Sequence, residues 1–222
     1  MSEIPYSVRR SERARRVRVS VDPEAGVEVV LPARAPRREA AAAMVELRPW
    51  VERRLRTLAR AREELGLRPG VVPFLGGPLE LEPEPGRSRV TRRGERLLVP
   101  AGDHRPALER WFRRRAREEV APRLERACAA AGTRHGALTI RGQRTRWASC
   151  SPRGDMSFNW RLLLAPEPVL DAVVWHEVCH LEVLDHSPRF WALLEGRCPD
   201  YRAHQRWLRR YGPLLSLPPA PA

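Results

Sequence analysis

Three histidines and a glutamate crowd into Val174-Trp-His-Glu-Val-Cys-His-Leu-Glu-Val-Leu-Asp-His-Ser-Pro188. His176 and His180 bracket Glu177 as His-Glu-x-x-His (HExxH). On a helix, side chains at i and i+4 project from one face about one turn apart, so the two imidazoles can grip one metal ion. Glu177 sits beside the first of them, where a carboxylate can reach a metal-bound water. The stretch reads as a zinc hydrolase site.

A catalytic zinc takes three protein ligands and keeps one position open for water. The candidates for the third ligand are His186, Glu182, Asp185 and Glu195. His186 is preferred, because it lies just past the helix and before the next N-cap, on a loop that can fold back. Glu177 is then the general base, taking a proton from the zinc-bound water and passing it to the leaving group. Zinc brings that water's pKa to about 7 and polarises a carbonyl as a Lewis acid. One Zn2+ ion is expected, although three imidazoles also accept manganese, iron or nickel. Cys179 lies between the two histidines but points away from them, and reads as a small buried hydrophobe.

The elements that must position these groups follow from periodicity and punctuation. Residues 1–13 are polar and basic and are expected to be flexible. Val17–Val21 and Val27–Leu31 alternate around the turn Asp22–Gly26, as a hairpin does. A helical stretch runs from Pro36 to about Leu65, with Pro49 predicting a kink or two helices. Residues 66–101 hold short strand-like pieces between glycines and prolines, and read as a small antiparallel sheet. Arg105–Ala131 reads as a second long helix, kinked at Pro122 and ended by Gly132. Leu138–Arg141, Arg146–Cys150 and Met156–Trp160 read as strands, the last two as a hairpin. The helix with the histidines is expected over Pro166–Leu184. Ser187 and Pro188 suit the N-cap and N1 of the next helix, to about Arg197, and a last helix covers Tyr201–Tyr211. The expected organisation is a β-rich N-terminal part with a long helix over 14–101, a metallohydrolase core over 102–212, and a proline-rich tail over 213–222, extended or disordered from Leu217.

Composition narrows the class. No apolar run approaches the roughly 20 residues that span a bilayer, and Met1-Ser-Glu-Ile-Pro5 leads into arginines rather than an apolar signal core. A cytoplasmic protein is expected. The formal charge is +14, and all 41 basic residues are arginine. Solvated arginine faces, in keeping with GC-rich codons, explain this as readily as a surface for nucleic acid or nucleotides. The four cysteines form no Cys-x-x-Cys pair, which argues against a zinc knuckle.

Four blocks, Arg146-Trp-Ala-Ser-Cys-Ser151, Phe158-Asn-Trp-Arg-Leu162, Val174-Trp-His-Glu-Val-Cys-His-Leu181 and Asp185-His-Ser-Pro-Arg-Phe-Trp191, resemble in order and spacing the YgjP-like metal-dependent hydrolases, relatives of the SprT-like and other minimal zincin metallopeptidases. The front half, including Pro73-Phe-Leu-Gly76, is similar too, so the resemblance covers roughly residues 10–212. Ala148 departs from it, standing where the family commonly has glycine. The resemblance implies an α+β fold with a zincin-like core, a small antiparallel sheet plus the active-site helix. It also implies His176, His180 and His186 as zinc ligands and Glu177 as catalytic acid/base.

In a zincin, the strand beside the active-site helix can pair with an extended peptide. Asn159 and Trp160 are candidates to line that cleft. Tyr201, Tyr211, His204 and Arg189 are candidate donors to the oxyanion of the transition state. A metallopeptidase acting on a peptide or protein is the first expectation. The alternatives are a metal-dependent nucleotide or phosphoanhydride hydrolase and a basic nucleic-acid-associated module with a structural metal site. An intact Glu177 argues against the last, since a structural site has no need of it.

Overall fold

The computed structural model describes residues 4–143 and 145–218. The chain divides into two compact units, one up to Gly66 and one from Leu67, and both mix helix with strand.

The first unit holds β1 (Tyr6–Ser11), β2 (Arg18–Asp22), β3 (Gly26–Pro32) and α1 (Arg38–Glu64). The expected hairpin is β2–β3, with the Asp22 carboxylate capping the turn amides of Glu24 and Ala25. Val27, Val29 and Leu31 share one face of β3 and pack on Ala40, Met44 and Val51 of α1. Two expectations change here. The stretch expected to be flexible contains β1, which pairs in parallel with β3; its backbone bonds and Val8 order it despite its polar side chains. Of the kink or two helices that Pro49 predicts, two helices are excluded, because one helix runs through it. Proline removes the bond to the carbonyl four residues back, and that carbonyl belongs to Val45, which is 77% exposed and faces water.

The second unit starts with β4 (Val71–Phe74), β5 (Gly77–Glu84), β6 (Thr91–Arg93) and β7 (Arg96–Pro100), in the order β4-β5-β7-β6. This sheet is mixed rather than antiparallel: β7 returns between β5 and β6 and runs parallel to β5. Its strands lie with the core expected over 102–212 rather than with the N-terminal unit, because Val72, Phe74, Leu79, Leu97 and Val99 join the same hydrophobic core as the helices that follow.

Helix α2 (Arg105–Ala131) also runs unbroken, through Pro122, and ends on Gly132 in the left-handed conformation, as its sequence predicts. A second small sheet, β8 (Leu138–Arg141), β9 (Ala148–Cys150) and β10 (Met156–Asn159), has the order β8-β10-β9, with β10 parallel to β8 and antiparallel to β9. A 3-10 turn over Trp160–Leu164 leads to α3 (Glu167–Cys179), α4 (Pro188–Arg197) and α5 (Tyr201–Tyr211). Phe112 and Leu124 of α2, Phe158 of β10, Leu163 of the turn and Leu170 and Val178 of α3 form the fully buried centre. Leu215 and Leu217 pack on it, so the tail is anchored there; residues 219–222 of the expected disordered segment lie outside the described residues. No helix among the described residues is long and apolar enough to cross a membrane.

Arg123 ties α2 to α3. Its side chain is 9% exposed and pairs with Glu119, Glu167 and Asp171. The partners reach solvent, so they are not stranded when it is lost. Arg123→Ala should therefore lower unfolding free energy by only about 1–2 kcal/mol, read from the urea midpoint at unchanged slope. Other arginines pair with glutamates too, among them Arg48–Glu52, Arg113–Glu109 and Arg115–Glu118, which fits solvated helix faces.

Candidate metal centre

Helix α3 stops earlier than its apolar pattern suggests. It ends at Cys179, with His180 as C-cap, and the chain tightens through His180 N–H to Glu177 C=O and Leu181 N–H to Val178 C=O. The early stop has a use. The turn brings the Val183 carbonyl within 3.0 Å of His180 Nδ1. A proton on Nδ1 then donates to that carbonyl and leaves Nε2 free as a ligand. Val183 tucks into a small cluster with Cys179, Phe190, Leu194 and Tyr201, while Leu184 is left 61% exposed.

The next turn carries His186 back toward α3. The Asp185 carboxylate accepts from the Ser187 amide, and Pro188 starts α4 with Ser187 as N-cap. Arg197, at the end of α4, pairs with Glu182, donates to Cys179 Sγ at 3.8 Å and lies over the Trp175 ring. That cluster clamps the turn between the two helices. Phe190 is fully buried beneath the histidines, with ring centroids 4.9, 4.5 and 4.8 Å from His176, His180 and His186.

Among the described residues, one group of three metal-capable side chains converges, His176, His180 and His186, with ligand atoms all within 4.8 Å of one another. The Nε2 atoms of His176 and His186 face each other at 3.0 Å. Ligands about 2.0–2.1 Å from a tetrahedral ion stand roughly 3.3 Å apart, close to the His176–His186 spacing. For His176 and His180 the protonation states fit as well, since metal ligands must be neutral imidazoles. Burial, reinforced by His180 and His186, holds His176 down to about 3, and burial also lowers His180.

Glu177 is 5% exposed, and its Oε2 has no hydrogen-bond partner among the described residues. Burial raises its pKa to about 8, against the opposing pull of the Cys150 backbone N–H and the Arg146 charge. An unpartnered buried carboxylate oxygen costs stability, and this one lines the same cleft as His176. Cys179 is buried in the cluster below, away from the ligand set, and all four cysteines are free thiols.

A cleft of about 220 Å³ opens beside His176 and Glu177. Its walls include Trp147 and Ala148 before and on β9, Val169 and Val173 of α3, and Tyr201, His204, Gln205 and Leu208 of α5. The α5 residues fall at i, i+3, i+4 and i+7, one helix face, a spacing that was readable in the sequence. Of the four candidate oxyanion donors, Tyr201 and His204 reach this cleft; Tyr211 and Arg189 are not among its walls.

The structure does not bring Asn159 and Trp160 to the cleft. Asn159 is 5% exposed and fully engaged: its amide donates to the Gln143 and Arg146 carbonyls, and its oxygen accepts from the Arg161 amide. It ends the strand one residue earlier than expected and caps the 3-10 turn, and in doing so fixes the approach to β9. Trp160 is 1% exposed and packs on Phe112 at 5.7 Å. Trp147 takes the place expected of Trp160. An aromatic on a short alternating strand serves core and cleft equally well in sequence, so no local signal separates the two.

Comparison with known proteins adds the family. Two solved metallopeptidase zymogens are similar to part of the chain. Abylysin of Pyrococcus abyssi is 23% identical, with a TM-score of 0.38, over 42% of this chain and 95% of that one. Jannalysin of Methanocaldococcus jannaschii is 14% identical, with a TM-score of 0.35, over 40% of this chain and 94% of that one. A search of curated proteins gives no match. The family model of the YgjP-like metallopeptidase domain matches residues 15–211, nearly the whole sequence, and the chain belongs to that family.

Proposed function

We propose that this metal-dependent hydrolase is a peptidase, with one divalent ion, zinc first among candidates, held by His176, His180 and His186 and with Glu177 as general base. The observation that carries the proposal is the meeting of three imidazoles with a buried carboxylate whose Oε2 has no partner among the described residues. When bound, such an ion supplies Lewis acidity to a carbonyl oxygen and to water. Glu177 takes a proton from the attacking water and returns it to the departing amine. The apolar surroundings that make its charged form costly also make it a stronger base than an exposed carboxylate. His204, on the cleft wall facing this carboxylate's helix, is the proposed donor to the developing oxyanion. Tyr201 forms part of the cleft wall, and its hydroxyl accepts from Arg202.

A peptide is favoured as substrate by the edge strand. β9 lies at the edge of its sheet. Residues 147, 149 and 151 pair with 159, 157 and 155 through bonds such as Asn159 N–H to Trp147 C=O and Ser151 N–H to Asp155 C=O. In an antiparallel pair the intervening residues point their backbone groups outward. Those residues are Cys150, whose N–H meets Glu177, and Ala148, which lines the cleft. An extended peptide pairing with Ala148 would have its backbone held beside the base. A nucleotide fits less well. Among the described residues the cleft walls hold no arginine, and phosphate recognition relies on such donors.

Zinc-loaded protein incubated with a peptide mixture and with nucleoside triphosphates should cleave peptide bonds and leave the nucleotides intact. Release of phosphate with no peptide cleavage would reverse the choice of substrate.

A further inference from the structure

The cleft beside Glu177 is walled in part by apolar groups, Trp147, Val169, Val173, Leu194 and Leu208, with Tyr201, His204 and Gln205 of α5 beside them. Its volume of about 220 Å³ is below the roughly 300 Å³ at which pockets for whole small-molecule ligands begin, but suits a single side chain. It also adjoins the outward edge of β9 at Ala148, so a peptide paired there would have a side chain at the mouth.

One wall has an unusual support. The Trp147 indole rests on Gly212, and a Cβ built on that glycine would lie 2.7 Å from Cζ2 of the ring. Gly212 has ordinary helical angles, φ −51° and ψ −39°, so its backbone does not require glycine. What requires it is the indole. Gly212 is not itself among the cleft walls, so it backs the ring from outside.

The geometry points to a specificity pocket for one medium-sized apolar side chain of the substrate, with Trp147 as its adjustable wall and Gly212 setting how far that wall stands back. The assignment rests on the peptidase reading for its occupant. The fixed length of β9 and the closeness of Glu177 place that side chain at one constant position relative to the cleaved bond. The pocket selects size by the room between Trp147 and α5. Apolar side chains are favoured where they meet Trp147, Val169, Val173, Leu194 and Leu208, because burying a polar group against those walls costs free energy.

The test has two arms, both on the full chain loaded with zinc. In the first, a mixture of synthetic peptides is cleaved and the products are sequenced by mass spectrometry. Wild type should favour leucine or phenylalanine over serine at one position by about tenfold or more. Trp147→Ala should move the optimum to larger residues and Gly212→Ala, which pushes the indole inward, to smaller ones. Leu208→Phe narrows the cleft from α5 and replaces Gly212→Ala if that protein does not fold. In the second arm, N-acetyl amides of leucine, phenylalanine, serine and glutamine are titrated into the same proteins by NMR, with no cleavage required. The apolar amides should bind tighter, with the same shifts among variants. Cleavage without an apolar preference, or a preference unmoved by the variants, overturns the pocket and leaves the peptidase intact. Apolar binding that follows the variants without any cleavage ends the peptidase reading and leaves the pocket standing.

Discussion

Zinc-loaded Glu177→Gln protein should keep its metal and lose about 10²–10⁴-fold in kcat/KM on peptides, the usual contribution of a general base. The amide has nearly the same shape, accepts from Cys150 as before and leaves the three imidazoles in place. What it cannot do is take a proton. The same substitution should stabilise the metal-free protein, because Glu177 is a buried carboxylate with an orphan oxygen. The sign follows from its pKa, raised by burial from 4.5 to about 8. Below 4.5 both folded and unfolded states hold the proton, and the wild type pays no penalty. As pH rises toward 8 the unfolded state ionises while the folded state resists, and stability is lost. Glutamine has no such dependence. In chelator, the advantage of Glu177→Gln should be near zero at pH 4.5 and grow to a few kcal/mol by pH 8. The low pKa of His176 is common to both proteins and drops out of the difference. Denaturant unfolding across pH, beside kcat/KM of the loaded proteins, checks both halves. Activity within threefold of wild type, about 0.65 kcal/mol, would remove Glu177 from the mechanism.

The candidate centre was legible in sequence because its geometry is local. A four-residue spacing on a helix fixes where two imidazoles point, and Ser187-Pro188 fixes where the next helix begins. The end of α3 was not legible. Leu181, Val183 and Leu184 extend an apolar pattern, and no glycine or proline marks a stop. The helix ends because Val183 gains burial with Phe190 and His180 gains a carbonyl for its ring, and both are tertiary gains that override propensity. Asn159 was misplaced for a related reason: a cap that ends a strand and opens a 3-10 turn looks like one more strand residue until the following backbone is known. The parallel pairing of β5 with β7 and of β1 with β3 depends on long-range contacts that alternation cannot encode.

His180 and His186 should separate a ligand that also builds the turn from one that only binds. His180 is 8% exposed, stacks on Phe190 and holds the Val183 carbonyl. His180→Ala should therefore weaken zinc and also lower the stability of the metal-free protein by about 1–3 kcal/mol, the cost of an unmade buried bond. His186 is exposed and stacks on Trp191 at 5.4 Å, while the turn around it is held by Asp185, Ser187 and Arg197 instead. His186→Ala should leave metal-free stability within about 1 kcal/mol of wild type. It should nevertheless weaken zinc by more than about 100-fold, the upper end for groups that merely orient a ligand. Metal present at 1,000 times its Kd adds about 4 kcal/mol to a folded protein, or roughly 8–16 °C in Tm at this chain length. Wild type should show that rise on adding zinc, and His186→Ala, at the same zinc concentration, should show little of it. Chelator-competition titrations and melting curves with and without zinc measure both quantities. Equal zinc affinity for His186→Ala and wild type would pass the third position to Glu182, Asp185 or Glu195. Of these, Glu182 is held by Arg197 and Glu195 by Arg202, and the Asp185 carboxylate is taken up by the Ser187 amide. Each would have to break an interaction to reach the metal, whereas His186 already faces His176.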